Sequence, residues 1–300
     1  MTELRASLFP LSARRPRRST AMLTAARRAP LATLAVGFIV LLIVVAVFAP
    51  WIAPFDPNEL HRVDRLRSPG SPYWLGTDST GRDQLSRIIF GSRVSLYVGV
   101  VPIVGSCLVG TVMGAVSGYF GGMVDLVLQR FAEAVSAIPP LLIAISVVAL
   151  MGPRLTNVVL AIGIVTAPSV NRVARAATLQ TKPLPYVLAA HSIGASHARI
   201  IGRHVLPNIA TPVVVVGASM IGTAILAEAG LSFLGLGVRP PTATWGNMIG
   251  GDNRIVFELA PWLVIFPGLA ITLTVLAFNL AGDGLRDMLD PRMKRVLGPK

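Results

Sequence analysis

The chain has 300 residues, of which 53% are hydrophobic and only 14% charged, and its mean hydropathy is +0.67. A soluble domain carries about 25% charge, so a water-soluble globule is excluded, and so is a disordered chain, which needs low hydrophobicity. The formal charge is +13 and 24 of the 27 basic residues are Arg, but long apolar runs separate them, which speaks against a nucleic-acid binder.

The chain opens on a basic arm, residues 1–28, with seven Arg. Charge-free runs follow at 29–55, 94–124, 134–153, 155–171, 205–227 and 259–282. Crossing roughly 30 Å of hydrocarbon takes about 20 apolar residues. Five runs reach that length; in the fourth, Arg172 and Arg175 extend the helix and snorkel to the interface. The pattern predicts an all-α membrane protein of six transmembrane helices. The first run is too long for the core of a cleaved signal peptide and reads as a signal anchor.

With the N-terminus inside, the inner segments hold 18 Lys and Arg and the outer segments 9, which predicts an N-in, C-in topology. Residues 56–93 then form an extracytoplasmic loop. Its end, Thr80 to Asp83, has the spacing of a helix capping box. Leu85, Ile88 and Ile89 follow on one helical face and lead into the second span. The core, 94–284, carries five of the helices, and a polar tail, 285–300, closes the chain.

Ionisable groups at span edges are few. Arg130 and Glu133 are spaced to pair on a helix, whereas Asp125 to Arg130 is poorly spaced. Gly152-Pro153-Arg154 predicts a tight turn between the third and fourth spans. Glu228 closes the fifth span among glycines that permit a re-entrant hairpin; it either faces a translocation path or binds neighbouring backbone. Asn171 is the other candidate for the path. Gly282-Asp283-Gly284 resembles an intramembrane aspartyl centre, but as partners the other spans offer only Glu228 and the edge groups Asp125 and Glu133, and Asp283 is read as ending the sixth helix.

The remaining chemistry is sparse. The phosphate-loop pattern G-x-x-x-x-G-K-[ST] does not occur, and the lysines are Lys182, Lys294 and Lys300. His191 and His197 are six residues apart, a poor metal pair. The lone Cys107 forms no internal disulfide or cysteine-based metal cluster. No catalytic residue, cofactor site or metal site is assigned, and the chain is not read as an enzyme.

The largest inner loop, 178–208, is the docking candidate. It reads Tyr186-Val-Leu188-Ala189-Ala190-His-Ser-Ile-Gly194, then nine residues, then His204-Val-Leu206-Pro207. This resembles the E-A-A-x-x-x-G-x(9)-I-x-L-P loop of the ABC importer permeases, in the H-x-L-P form of the dipeptide/oligopeptide/nickel group. Two further stretches agree: Trp74-Leu-Gly-Thr-Asp78-Ser-Thr-Gly81-Arg-Asp83 through Leu96, and Trp245-Gly-Asn-Met with Leu285-Arg-Asp-Met-Leu-Asp290-Pro-Arg. Together they resemble the C-type permease subunit over roughly 30–296. The resemblance implies a type I ABC importer permease fold in a prokaryotic cytoplasmic (inner) membrane. It implies a second homologous permease, two ATP-binding subunits that use ATP and Mg, and an extracytoplasmic substrate-binding protein.

It also implies that 186–203 forms two short helices meeting near Gly194. Leu188, Ala189, Ala190, Gly194, Ala195, Arg199, Arg203, His204, Leu206 and Pro207 would couple them to the ATPase. Small Ala189 and Ala190 would let a partner approach, and Pro207 would start the next span cleanly. The family's acidic residue falls at Leu188 here, so one polar contact with the ATPase is missing. The competing readings are a self-sufficient secondary transporter or channel, for which no internal repeat is found, and an intramembrane enzyme.

Overall fold

A computed structural model describes residues 30–250 and 256–289. The expectations for the basic arm 1–28, for Arg254 and for 290–300 lie outside the described residues. Among those described, helices α1 (Pro30–Val47), α2 (Ala49–Ile52), α3 (Gln84–Phe120), α4 (Gly122–Ser136) and α5 (Pro140–Met151) come first. They are followed by α6 (Leu155–Thr181), α7 (Pro185–Ser192), α8 (His197–Ile200), α9 (Leu206–Phe233), α10 (Trp245–Ile249) and α11 (Trp262–Leu289). No strand forms among the described residues, which hold one isolated bridge, Thr77 to Asp83. Five helices are long and apolar enough to cross a membrane, or six if the bent pair α4–α5 is one span.

The second span starts ten residues before the charge-free run at 94. A 37-residue helix is about 55 Å long, well beyond the roughly 30 Å hydrocarbon core. Its first turns carry Gln84, Ser86 and Arg87, all buried against protein, so their polarity does not end the helix. The cap is Asp83, not the expected Thr80: its carboxylate accepts from the Ser86 backbone N–H at 2.8 Å and the Ser86 hydroxyl at 2.7 Å. Thr80 instead donates to Asp78. Gly121 and Gly122, at φ +68° and +54°, end α3 in a conformation that side chains rarely adopt.

The third span is not the single helix expected over 134–153. α4 and α5 meet at 86°. Pro139 and Pro140 explain the break: neither has an N–H to continue the ladder, and each pushes the preceding residue out of helical geometry. The expected turn follows, with Gly152 at φ +90° and the Arg154 N–H bonded to the Gly152 carbonyl at 2.9 Å. α6 then runs through Arg172 and Arg175 to Thr181.

Helices α3 and α6 form the central seam. A Cβ at Gly110 would lie 2.8 Å from the Ala167 carbonyl, one at Gly114 2.5 Å from the Asn171 carbonyl, and one at Gly118 2.9 Å from Thr178 Cβ. Small residues at this spacing let two membrane helices approach backbone to backbone. α9 packs across both, α11 packs on α9, and α1 packs on α11.

Two helix ends differ from the sequence reading. α9 continues past Glu228 to Phe233; the chain then turns at Gly235, φ +79°, and α10 packs back on α9, a tightly packed return of the kind the glycines permit. α11 continues past Asp283 to Leu289, because at 28 residues it overhangs the hydrocarbon and can carry exposed polar turns.

Candidate functional site: the inner elbow and the polar seam

The loop between α6 and α9 folds into an elbow. α7 ends in a Schellman motif: the Ala195 N–H bonds the Ala190 carbonyl at 3.1 Å, and the Gly194 N–H bonds that of His191 at 3.0 Å. Gly194 sits at the C′ position with φ +79°, and no atom lies within 4 Å of where its Cβ would be. Glycine is therefore needed for its backbone, not for space. Ser196 caps α8 by accepting from the Arg199 N–H.

α8 does not stop before the next span. A π-turn, Ile201–Val205, joins it to α9, so the clean start expected at Pro207 is absent. A proline ring crowds the carbonyl four residues earlier, here Arg203, and a widened turn at that place relieves the crowding.

The elbow has an anchored face and an open one. Val187, Ala190, Ile200, Val205 and Ile209 are buried against Ala115 and Tyr119 of α3 and Val170 and Ala174 of α6. Ala190 thus serves close packing within the chain rather than the approach of an outside surface. Leu188 (55%) and Ile193 (85%) are open, as are Ala189, Arg199, Arg203 and Pro207, while Ala195, His204 and Leu206 are half-buried. His197 is a link the sequence did not disclose. Its Nδ1 lies 2.9 Å from the Tyr119 hydroxyl, and its ring packs on Phe120, tying α8 to the end of α3.

A second constellation joins α3, α4 and α6. Arg175 forks onto Asp125 at 2.6 and 2.7 Å, and Ser117 donates to the same carboxylate. Gln129 donates to Ser117 at 2.7 Å and accepts from Asn171 at 3.1 Å. Asn171 is fully buried and its Oδ1 has no partner. The expected Arg130–Glu133 pair forms at 3.0 Å. Pairing of Asp125 with Arg175 escaped the sequence reading because 50 residues separate them.

The 53–83 loop is held by buried charge. Asp78 accepts from the Thr80 N–H at 2.8 Å, the Arg82 N–H at 3.0 Å and Arg82 Nε at 2.7 Å, with Arg87 Nε 3.7 Å away. Burial pushes the Asp78 carboxyl up, but the hydrogen bonds from Thr80 and Arg82 and the Arg82 charge outweigh it and hold it below its ordinary value. Nearby, Trp245 donates Nε1 to the Ile88 carbonyl at 3.0 Å, and a Cβ at Gly246 would lie 2.6 Å from Ala229 Cα. Glu228 is buried beneath this knot and accepts from Ser232 at 2.6 Å.

The described residues thus form a bundle of candidate membrane spans, with an elbow packed on α3 and α6 and a loop pinned by buried charge, the build of an integral membrane protein. The model of the family "binding-protein-dependent transport system inner membrane component" matches residues 110–295, and that of the "N-terminal TM domain of oligopeptide transport permease C" matches 22–69. A dipeptide transport system permease protein of Alkalihalophilus pseudofirmus is 41% identical over 86% of this chain and 86% of its own. A glutathione transport system permease protein of Pectobacterium atrosepticum is 44% identical over 86% of this chain and 85% of its own, and one of Escherichia coli O157:H7 is 44% identical over 89% and 88%. The crystal structure of an amino acid ABC transporter with histidines shares the fold, with TM-score 0.50 and 17% identity over 69% of this chain and 94% of that one. The chain belongs to the binding-protein-dependent transport system inner membrane components, as a C-type permease of the ABC importers.

Proposed function

We propose that the chain is one half of the membrane channel of an ATP-driven importer of di- and oligopeptides. A second, homologous permease supplies the other half, two ATP-binding subunits use ATP and Mg, and an extracytoplasmic binding protein delivers the peptide. The chain sits in a prokaryotic inner membrane with both ends inside. The 186–207 elbow receives the ATPase stroke, with Leu188, Ala189, Gly194, Arg199 and Arg203 at or beside the contact.

The observation that carries this reading is the elbow's two faces. Leu188 and Ile193 are open to a partner, while Val187, Ala190 and Ile200 are locked into the core of α3, α6 and α9. A push on the open face therefore moves spans and not a loose loop. The peptide class rests on the relatives named above. The test is uptake of a labelled dipeptide into vesicles holding the two permeases and the two ATP-binding subunits, with the binding protein added. Accumulation should need ATP and the binding protein; accumulation without either contradicts the proposal.

A further inference from the structure

The face shared by α3, α4 and α6 holds two adjoining cavities. One, of about 450 Å³, is apolar, lined by Val101, Val109, Met113, Phe131 and Ile164, with Asn171 at its edge. The other, of about 530 Å³, is polar, lined by Asp125, Gln129, Arg130, Glu133, Arg172 and Arg175. Each falls in the ~300–1,000 Å³ range of small-molecule sites. Ala132 lines both, and the Asn171–Gln129 hydrogen bond bridges them.

Three features of the seam point to a ligand. Three arginines in the polar cavity face two carboxylates; Arg175 takes Asp125 and Arg130 takes Glu133, which leaves Arg172 without an ion pair among the described residues. Its guanidinium meets only the hydroxyls of Ser136 at 3.3 Å and Ser169 at 3.2 Å. Next to it, the orphan Oδ1 of Asn171 is a fully buried acceptor, and such groups are costly unless something donates to them. Charges within membrane helices face water-filled paths or protein rather than lipid tails.

Building on the reading of the chain as a peptide permease, we infer that this seam is a way-station for the peptide itself. Arg172 holds the C-terminal carboxylate, Asn171 Oδ1 accepts a peptide N–H, and the apolar cavity takes side chains. Glu133, paired with Arg130 at 3.0 Å in an exposed and therefore weak ion pair, exchanges that partner for the terminal ammonium. Arginine suits this task because its planar fork matches a carboxylate.

The test uses the complete membrane complex in nanodiscs without binding protein, with saturation-transfer NMR of trialanine and of its C-terminal amide. Trialanine should give a saturable signal. The signal should fall about tenfold, the scale of one charge-assisted hydrogen bond, for the amide and for Arg172→Gln, and less for Arg172→Lys. Equal signals for acid and amide on the native complex would overturn the site without recourse to any variant, as would the lack of a saturable signal. The experiment is run in phosphatidylcholine and again with phosphatidylglycerol. If phosphorus NMR shows phosphatidylglycerol immobilised in an Arg172-dependent way and trialanine unbound in both, Arg172 is a lipid-headgroup site and the inference fails. Peptide uptake by the same complex with its binding protein separates the two claims. Uptake without trialanine binding sinks only the way-station, whereas absence of uptake sinks the peptide reading.

Discussion

At the scale of single residues, Asp78 is the buried carboxylate on which the 53–83 loop is tied. It is fully buried and meets both Arg82 and Arg87. Asp78→Ala strands the buried Arg87, and removing one member of a buried ion pair costs about 3–5 kcal/mol. The 53–83 loop of that variant should become protease-sensitive from the outer side. Because the folded carboxyl lies below the ordinary 3.8, its contribution is full above that value and is lost as pH falls through the folded value. Protease protection should therefore hold from neutral pH to about pH 4 and fade below it; protection lost already near pH 6 would assign it to another group. Leu188 is the opposite case. It is 55% exposed and belongs to none of the buried clusters, so Leu188→Glu should shift stability by less than about 0.5 kcal/mol and keep transport. Loss of complex assembly in that variant would mean that the elbow is aligned wrongly with the family loop.

At the scale of elements, the α3–α6 seam sets how the bundle packs. Gly114→Ala would push a Cβ against the Asn171 carbonyl and the Arg175 N–H, both backbone, and overpacking of this kind costs about 1–3 kcal/mol. Gly105→Ala, on the same helix, meets nothing within 4 Å and should be neutral or raise stability by about 0.5–1 kcal/mol through the helix preference of Ala. Thermal unfolding in detergent separates them; equal shifts would show that the seam is not tightly packed. The spans were legible in the sequence because apolar runs are a strong and local signal, and Gly194 was legible because its turn is local too. Helix ends were less so. The amphipathic helix read over Leu85 to Ile89 does lead into the second span, but its cap is Asp83 and not Thr80. Asp125 with Arg175 and Tyr119 with His197 are long-range pairs that no spacing rule detects. The 86° bend had its signal in Pro139-Pro140, which the charge-free run overrode.

At the scale of the molecule, the positive charge of the chain predicts its orientation in the membrane. Basic residues were expected two to one on the inner side, and Arg199 and Arg203 flank the open face of the elbow. Topology can be read directly in a Cys107→Ala background. Val63→Cys, 99% exposed on the outer loop, should label only from outside, and Leu188→Cys only from inside. The reverse pattern would invert the topology and remove the elbow from the ATPase side. The central claim is that this elbow passes ATPase motion to the spans, and Gly194→Val tests it most directly. A β-branched residue does not tolerate φ +79°, so the Schellman turn cannot form while the buried face of α7 is unaltered. The measurement is peptide uptake per ATP hydrolysed in the reconstituted complex. The account predicts at least about a tenfold loss of uptake, with insertion and thermal stability of the spans retained. Unchanged ATP-dependent uptake would contradict it.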